Sequence, residues 1–361
     1  MKILFIADQF ERGGAGRVAA IQCNGLYRAG YELILVTDSL HWDMTYQIDK
    51  DIPHREIVTK SLKSGGTARL VKWIKCVRDI RRHIKKEQPD LIIAIQTMMY
   101  LCSYIANMGH KTPIIVADHT SFNRHQGKLL DFVRYHLYGK ADAISILTQR
   151  DFRLLGEKYP QKRVIYNPLS FPLLDSNTER RKNILCAGRL EVWDIKGFDI
   201  IIKIWSQLYK KHPDWMLEIA GDGTEDATRI VRQLITANGL DGKVRLLGHI
   251  DDMKRLYSET SIFALPSRIE GFPMVLMEAM SQGCACVAFD IEGASTEMVA
   301  DNSGIVVKDG NIDAFQNALE LLIDNEQQRL SYSRNAIASV SRFSVDSFMH
   351  SWETLIEETV R

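Results

Sequence analysis

The chain has 361 residues, 45% of them hydrophobic and 25% charged, with a net charge of +1 at pH 7. That is the make-up of a globular protein of more than one domain, and it excludes a fibrous or disordered chain. The near-neutral total conceals a division: residues 1–170 hold 26 Lys and Arg against 16 Asp and Glu, and residues 171–361 hold 20 against 29.

An imbalance of that size predicts that the first half meets something anionic: lipid headgroups, phosphates or nucleic acid. No apolar run approaches the roughly 18–20 residues of a membrane span. The opening MKILFIADQF is too short for a secretory leader, and the six cysteines include no Cys-x-x-Cys pair. The expectation is a cytoplasmic protein with buried thiols.

Lys2–Ala7 (KILFIA) is a short apolar run and reads as a buried strand. A Gly13-Gly14-Ala15-Gly16 turn and a helix through Leu26 follow, and then a second strand at Tyr31–Thr37. This is a βαβ opening. Gly14-x-Gly16-x-x-Ala19 matches a dinucleotide-binding pattern, with Asp38 at the end of the second strand. Five residues separate the first strand from Gly13, whereas a dinucleotide turn follows its strand directly. Contact with a phosphate, a nicotinamide site and a structural turn all stay open for this loop.

The stretch Arg69–Lys86 has eight Lys and Arg and one Asp. Leu70, Trp73, Ile74, Val77, Ile80 and Ile84 fall on one face at helical spacing, which predicts a docked face with most of the cations behind it. That basic back, with Arg69, Lys72, Lys75 and Arg82, is either solvated or a surface for anionic lipid or a diphosphate-linked acceptor. Its aromatic content is too sparse for base stacking, so nucleic acid is not expected. Further strands are expected at Leu91–Ile95, Ile114–Ala117, Ala143–Leu147 and Val164–Tyr166. His119 follows the strand at Ile114–Ala117. It could donate a hydrogen bond to a sugar hydroxyl or a leaving group, or it could cap a helix or fill the core.

Residues 168–182, with two prolines and a polar run, read as the link between domains. The division expected is 1–170, 171–343 and a terminal amphipathic helix, 344–361, returning to the first domain. A second alternating series (NILCAG, WMLEIAG, KVRLLG, SIFALPS, CACVAF, GIVV) predicts strands with helices between them, near 197–211, 225–238, 252–258, 273–282, 293–300 and 312–323. Both halves therefore read as α/β, doubly wound parallel sheets facing across a cleft at the carboxyl ends of their strands.

Arg189 and Lys196 lie just past a strand, where two cations suit a diphosphate. In Leu265–Gly283 a buried strand gives way to a loop and a helix. Pro273 stands where a first helical residue would, and Glu270 and Glu278 flank the helix start. Each acid alone could be a solvated charge interacting with the helix dipole. Together with the N–H groups of a helix start they suit a ligand that is part phosphate and part polyol, and a nucleotide sugar is one. No His-x-x-x-His, zinc-spaced Cys pair or Asp-x-Asp after a strand predicts a metal, and no Gly-x-Ser-x-Gly elbow appears.

Glu270 and Glu278 form E-x7-E in EGFPMVLMEAMSQG. With GRL…KGFD at 188–199, AGDG at 220–223, LLGH at 246–249 and the glycine pair at 13–14, the chain resembles the retaining glycosyltransferases of family 4. The resemblance implies the GT-B fold of two Rossmann-like domains, an acceptor domain followed by a donor domain. It implies transfer of a sugar from a nucleotide donor, with retention, no obligatory metal, and no cofactor beyond that co-substrate.

On the same resemblance Glu278 would hold the donor ribose and Glu270 would sit by the transferred sugar. Arg189 and Lys196 would grip the diphosphate, which Gly14 would approach through its backbone. Gly248 and Ile250 would lie beside the base, with Gly271, Phe272, Met274 and Val275 completing the donor site. His119 would face sugar and acceptor, with Arg17 on the acceptor side. The expected activity is transfer of a hexose or N-acetylhexosamine, from a UDP-sugar by weight of the family. The acceptor would be a glycan or a polyprenyl-diphosphate-linked sugar at the cytoplasmic membrane face. The alternative is a nicotinamide-dependent oxidoreductase centred on Gly14.

Overall fold

The computed structural model describes residues 1–8, 10, 13–38, 46–57, 67–122, 124–175, 178–291, 293–300 and 302–361, and side chains from residue 70 onward in the helix that opens at 67. The chain divides into two units, Met1–Pro168 with Val345–Arg361, and Leu169–Ser344.

In the first unit β1 (Lys2–Ile6), α1 (Gly14–Arg28) and β2 (Glu32–Thr37) form the βαβ opening. β3 (His54–Glu56), α2 (Thr67–Glu87), β4 (Leu91–Ile95), α3 (Gln96–Ala106) and β5 (Ile114–Ala117) follow. Next come α4 (Lys128–Phe132), a π-helical turn at Val133–Leu137, β6 (Ala143–Ile146), α5 (Gln149–Leu155) and β7 (Lys162–Val164). The seven strands are parallel in the order β3-β2-β1-β4-β5-β6-β7. β4 and β5 are buried at every position, which is why their sequences are unbroken apolar runs and not alternating ones. The strand order reverses between β1 and β4, and a reversal of that kind opens a crevice at the carboxyl ends.

The second unit repeats the plan. β8 (Arg181–Ala187), α6 (Phe198–Leu208), β9 (Met216–Ala220), α7 (Glu225–Ala237), β10 (Val244–Gly248), α8 (Met253–Ser258) and β11 (Thr260–Leu265) lead to α9 (Met274–Ser281). β12 (Ala285–Asp290), α10 (Ala294–Met298), β13 (Ile305–Lys308), α11 (Ile312–Asp324) and α12 (Glu326–Val340) complete it. Its six parallel strands run β10-β9-β8-β11-β12-β13, so the reversal falls between β8 and β11. The last helix, α13 (Val345–Val360), belongs to the first unit. It packs on α1, with Phe348, Trp352, Leu355 and Ile356 buried, and Arg163 of β7 pairs with its Glu358 at 2.9 Å.

Three expectations need correction. Strand β3 was not foreseen, because its three half-exposed residues carry no apolar run. Pro273 is the N-cap of α9 and Met274 the first helical residue; the ψ of 80° at Pro273 is not helical. The docked face of α2 is turned from the expected one. Cys76, Ile80 and Ile84 enter the core with Trp73 and Val77 partly buried against it, while Leu70, Val71 and Ile74 are 60%, 66% and 46% exposed. At 100° per residue Ile74 lies about 160° round the helix from Cys76, so the two cannot share a face. The expected stripe counted large apolar residues and passed over the small Cys76 that fixes the contact line.

Candidate active site

In the second unit the strand-order reversal brings two loops together, Gly188–Gly197 after β8 and Pro266–Pro273 after β11. They are joined by their backbones. Arg268 N donates to Ile195 O at 2.8 Å, and Gly197, at φ 69°, packs so closely that a Cβ there would collide with the Pro266 carbonyl oxygen. The Arg268 guanidinium closes the joint, forking onto both carboxylate oxygens of Asp199 at 2.8 and 2.7 Å and donating to Asp194 O. This bidentate pair raises the Arg268 pKa further.

The neighbouring loop is tied in the same way. Gly188 N donates to Ala220 O and Gly221 N to Gly248 O, at 2.9 and 2.8 Å. Gly221, at φ 138°, leaves no room for a Cβ against Gly188 O. The glycines of GRL, AGDG and LLGH are therefore one packed rim.

On that rim Lys196 Nζ donates to Glu270 Oε1 at 2.7 Å, with the two side chains 20% and 13% exposed. A partly buried ion pair is worth more than one in bulk water, and here it fixes both groups in place. Arg189, from the same loop, is exposed and forms no ion pair among the described residues. No side chain caps α9; Met274 N donates to Phe272 O and Leu276 N to Pro273 O, at 2.8 and 2.9 Å, and the positive end of the helix dipole faces the loop that carries Glu270. Glu278 is buried on α9 and accepts from Ser170 Oγ at 2.7 Å and from Tyr257 Oη at 3.3 Å.

Of the other expected donor residues, Phe272 and Met274 are buried, Phe272 edge-on to Phe343. Gly248, Ile250, Gly271 and Val275 are half-buried.

The first unit holds the remaining residues. Gly14 opens α1 without a side-chain cap, and Gly13 N donates to the Tyr46 hydroxyl oxygen at 3.1 Å. Arg17 lies over the Tyr46 ring, 5.2 Å from its centroid. At the end of β5, Asp118 meets the buried Arg134 of the π-helical turn at 3.1 Å. Arg134 also donates to the carbonyls of Thr120, Ser121, Phe122 and Arg124.

His119 stands on this stapled loop, its ring nitrogens buried and without a hydrogen-bond partner among the described residues. Burial lowers its pKa, against the opposing influence of Asp118 and Asn167 beside it, so the ring is held neutral. Gln96, exposed and at φ 67°, opens α3 where β4 ends; a non-glycine residue there is strained and of the kind that marks functional sites. On α2, Lys75 and Arg82 are exposed, Lys72 is half-buried, and Arg82 pairs with Asp79 at 3.1 Å. The Arg69 side chain lies outside the described residues.

The structure thus joins Lys196 to Glu270 and sets Glu278 on α9, the helix that follows the Glu270 loop. Ser170, Tyr257, Arg268 and Arg134 are additions that no motif signalled. The ligand-type atoms of His212, Glu320 and Asp324 also cluster within 4.8 Å, but Lys211 already occupies Glu320 at 2.6 Å and none of these residues is on the site loops.

Two family models match the chain, Glycosyltransferase Family 4 over residues 12–170 and Glycosyl transferases group 1 over residues 175–339. An uncharacterized glycosyltransferase of Haemophilus influenzae is 27% identical over 359 residues, covering 98% of each chain. In Campylobacter jejuni, GalNAc-alpha-(1->4)-GalNAc-alpha-(1->3)-diNAcBac-PP-undecaprenol alpha-1,4-N-acetyl-D-galactosaminyltransferase is 25% identical over 376 residues and 99% of each chain. Among solved structures Anabaena HepE, in complex with UDP and glucose, superposes with a TM-score of 0.79 at 21% identity, over 99% of this chain and 100% of that one; the likeness is one of fold. The nicotinamide reading of the Gly14 loop gains no support, since the loop falls inside the first family match.

Proposed function

The chain belongs to the glycosyltransferases of GT-B fold and family 4 type, and from that premise we propose that it transfers a hexose or N-acetylhexosamine from a UDP-sugar, with retention and without a metal. The acceptor we propose is a glycan or lipid-linked sugar of a surface polysaccharide or glycolipid. The observation that carries the reading is the Lys196–Glu270 pair set beside the uncapped start of α9, with Glu278 further along that helix. Phosphates, sugar and ribose each find a group of fitting charge.

In this reading Lys196 and Arg189 take the diphosphate, which competes with Glu270 for the ammonium because it carries more charge on more oxygens. Glu270 turns to the sugar and Glu278 accepts from the ribose hydroxyls. The Gly14 backbone approaches the phosphates, and neutral His119 bonds a sugar or acceptor hydroxyl. The acceptor oxygen bonds to the anomeric carbon on the face from which the diphosphate leaves. As the bond from that carbon to the phosphate oxygen breaks, the acceptor proton passes to that oxygen. Catalysis is then positioning and leaving-group electrostatics.

A thermal-shift panel of UDP-, GDP- and ADP-sugars and NAD on wild type and Glu278→Ala tests this. At about 100 times its dissociation constant the donor adds about 2.7 kcal/mol, and Glu278→Ala loses that gain. Stabilisation by NAD alone would sink the proposal. Turnover in EDTA, with the anomer of the product read by NMR, tests metal independence and retention.

A membrane-held acceptor is favoured by a separate observation. Leu70, Val71 and Ile74 are exposed on the face of α2 that also carries exposed Arg78, Arg82 and Lys85, an apolar first turn followed by cations. No helix among the described residues is long and apolar enough to cross a membrane, so attachment by this helix is of the interfacial kind. The relative from C. jejuni carries an undecaprenol-linked acceptor in its name. Exposed Lys75 would add to the headgroup contacts, with Arg17 facing the acceptor, whereas half-buried Lys72 lies about 160° round the helix from Leu70 and Ile74 and would not. Each cation near an anionic surface contributes about 1 kcal/mol, so Arg78→Glu with Arg82→Glu should cut sedimentation with anionic vesicles at least tenfold. The Leu70, Val71, Ile74→Ser triple variant should do so at high salt too. Equal sedimentation with neutral and anionic vesicles would point to a soluble acceptor.

A further inference from the structure

The carboxylate of Glu278 is held from two sides. Ser170 donates to Oε1 at 2.7 Å and Tyr257 to Oε2 at 3.3 Å. Ser170 comes from the stretch after Pro168, which reads in sequence as a link. In the structure that stretch is laid along α9. Leu174 N donates to Ser281 O at 2.9 Å, Gln282 Nε2 donates to Pro172 O at 2.8 Å, and the Phe171 ring lies 6.4 Å from that of Tyr257. At its other end Leu169 N donates to Phe343 O at 2.8 Å. Ser170 is therefore fixed relative to Glu278 by its neighbours on both sides.

We propose that Ser170 is a positioning residue for the nucleotide donor, holding the plane of the Glu278 carboxylate so that it grips both ribose hydroxyls and selects ribose over 2′-deoxyribose. This rests on the reading of Glu278 as the ribose ligand. The last torsion of a glutamate is soft and does not by itself choose a plane. One hydroxyl donated to each oxygen does choose it. Each carboxylate oxygen accepts in more than one direction, so the bonds that set the plane are compatible with a grip on a vicinal diol. Ser170 makes the shorter of the two bonds and is the smaller, more easily replaced partner. Tyr257 is buried and contributes to packing against Phe263 as well.

The test is calorimetric titration of the full chain with UDP, GDP and ADP and their 2′-deoxy counterparts, on wild type, S170A, S170T and Glu278→Ala. For the nucleotide that wild type binds, S170A should weaken the ribose form about five- to tenfold, within the range of one ordinary intramolecular hydrogen bond, because Tyr257 still holds the other carboxylate oxygen. Its affinity for the deoxy form, which offers only the 3′ hydroxyl, should fall by less, so the discrimination shrinks. S170T keeps the hydroxyl and should restore both. In turnover the donor KM rises for S170A while kcat stays within about twofold, the pattern of lost uniform binding. A residue that merely packs the segment would weaken both sugars alike, which would overturn the proposal. If S170A binds and discriminates as wild type while Glu278→Ala loses the nucleotide, the proposal fails and the ribose reading stands. If Glu278→Ala binds as wild type does, the ribose reading itself fails.

Discussion

Glu270→Gln lowers kcat by about two to three orders of magnitude and leaves the protein folded. The amide keeps the size of the side chain and removes its charge. In the native protein that charge orients Lys196 at 2.7 Å, and the pair sits on a rim whose backbone is fixed by Gly197, Gly221 and the Arg268–Asp199 fork. During transfer the anomeric carbon gains positive character and the departing diphosphate gains negative charge. In the proposed mechanism the ammonium passes from Glu270 to the diphosphate and the freed carboxylate faces the sugar, so that one group answers each charge, and removing either should cost about 3–4 kcal/mol of transition-state stabilisation. Steady-state kinetics of Glu270→Gln, Lys196→Met and the double variant give the measurement. Strongly less-than-additive losses are expected, because the two groups act together. Normal turnover in Glu270→Gln would remove the residue from the chemistry. Stability should change little, since the pair is only partly buried.

The second large effect is on folding. Asp118→Asn should destabilise the first unit by about 3–5 kcal/mol, the cost of leaving a buried guanidinium without its counter-charge. Asp118 and Arg134 are each 1% exposed at their side chains, and the Tyr138 hydroxyl donates to the same Asp118 oxygen at 2.9 Å. Burial and the Asp118 charge together push the Tyr138 pKa well up, so Tyr138 stays a donor and cannot share the negative charge. Denaturant unfolding of wild type and variant, followed by a probe in the first unit, measures the loss. A change under about 1 kcal/mol would mean that water reaches the pair. Because Arg134 staples residues 120–124 to the end of β5, activity should fall at temperatures below the unfolding transition, as His119 loses its fixed loop.

Much of this was legible in the sequence, and for a physical reason. Strands buried on both faces must be apolar throughout, so β4, β5 and β11 announce themselves as unbroken runs. Glycines at which a backbone meets a carbonyl cannot be replaced cheaply, and Gly197 in the loop after β8 and Gly221 in the turn after β9 are two such positions. In the second unit Arg189 and Lys196 follow β8, and Glu270 and Glu278 follow β11, so their region was readable from spacing.

What spacing could not supply was contact made at long sequence separation. Ser170 and Glu278 are 108 residues apart, and nothing near Ser170 marks it as other than part of a proline-containing link. Arg134 lies in a π-helical turn, a local distortion that a 3.6-residue period cannot represent. The face of α2 was misread because hydrophobic size was weighed and the position of the small Cys76 was not.

The first unit is discontinuous in the chain, taking its last helix, α13, from residues beyond the whole of the second. On a ribosome that order has a cost in time. The first 168 residues emerge early but must wait, with the surface of α1 that receives Trp352 uncovered, while another 176 are made. The second unit, contiguous in sequence, has everything it needs before the first does. The usual N-to-C sequence of domain completion is therefore inverted here, and a premature stop near residue 344 would spare the later unit and leave the earlier one unfinished.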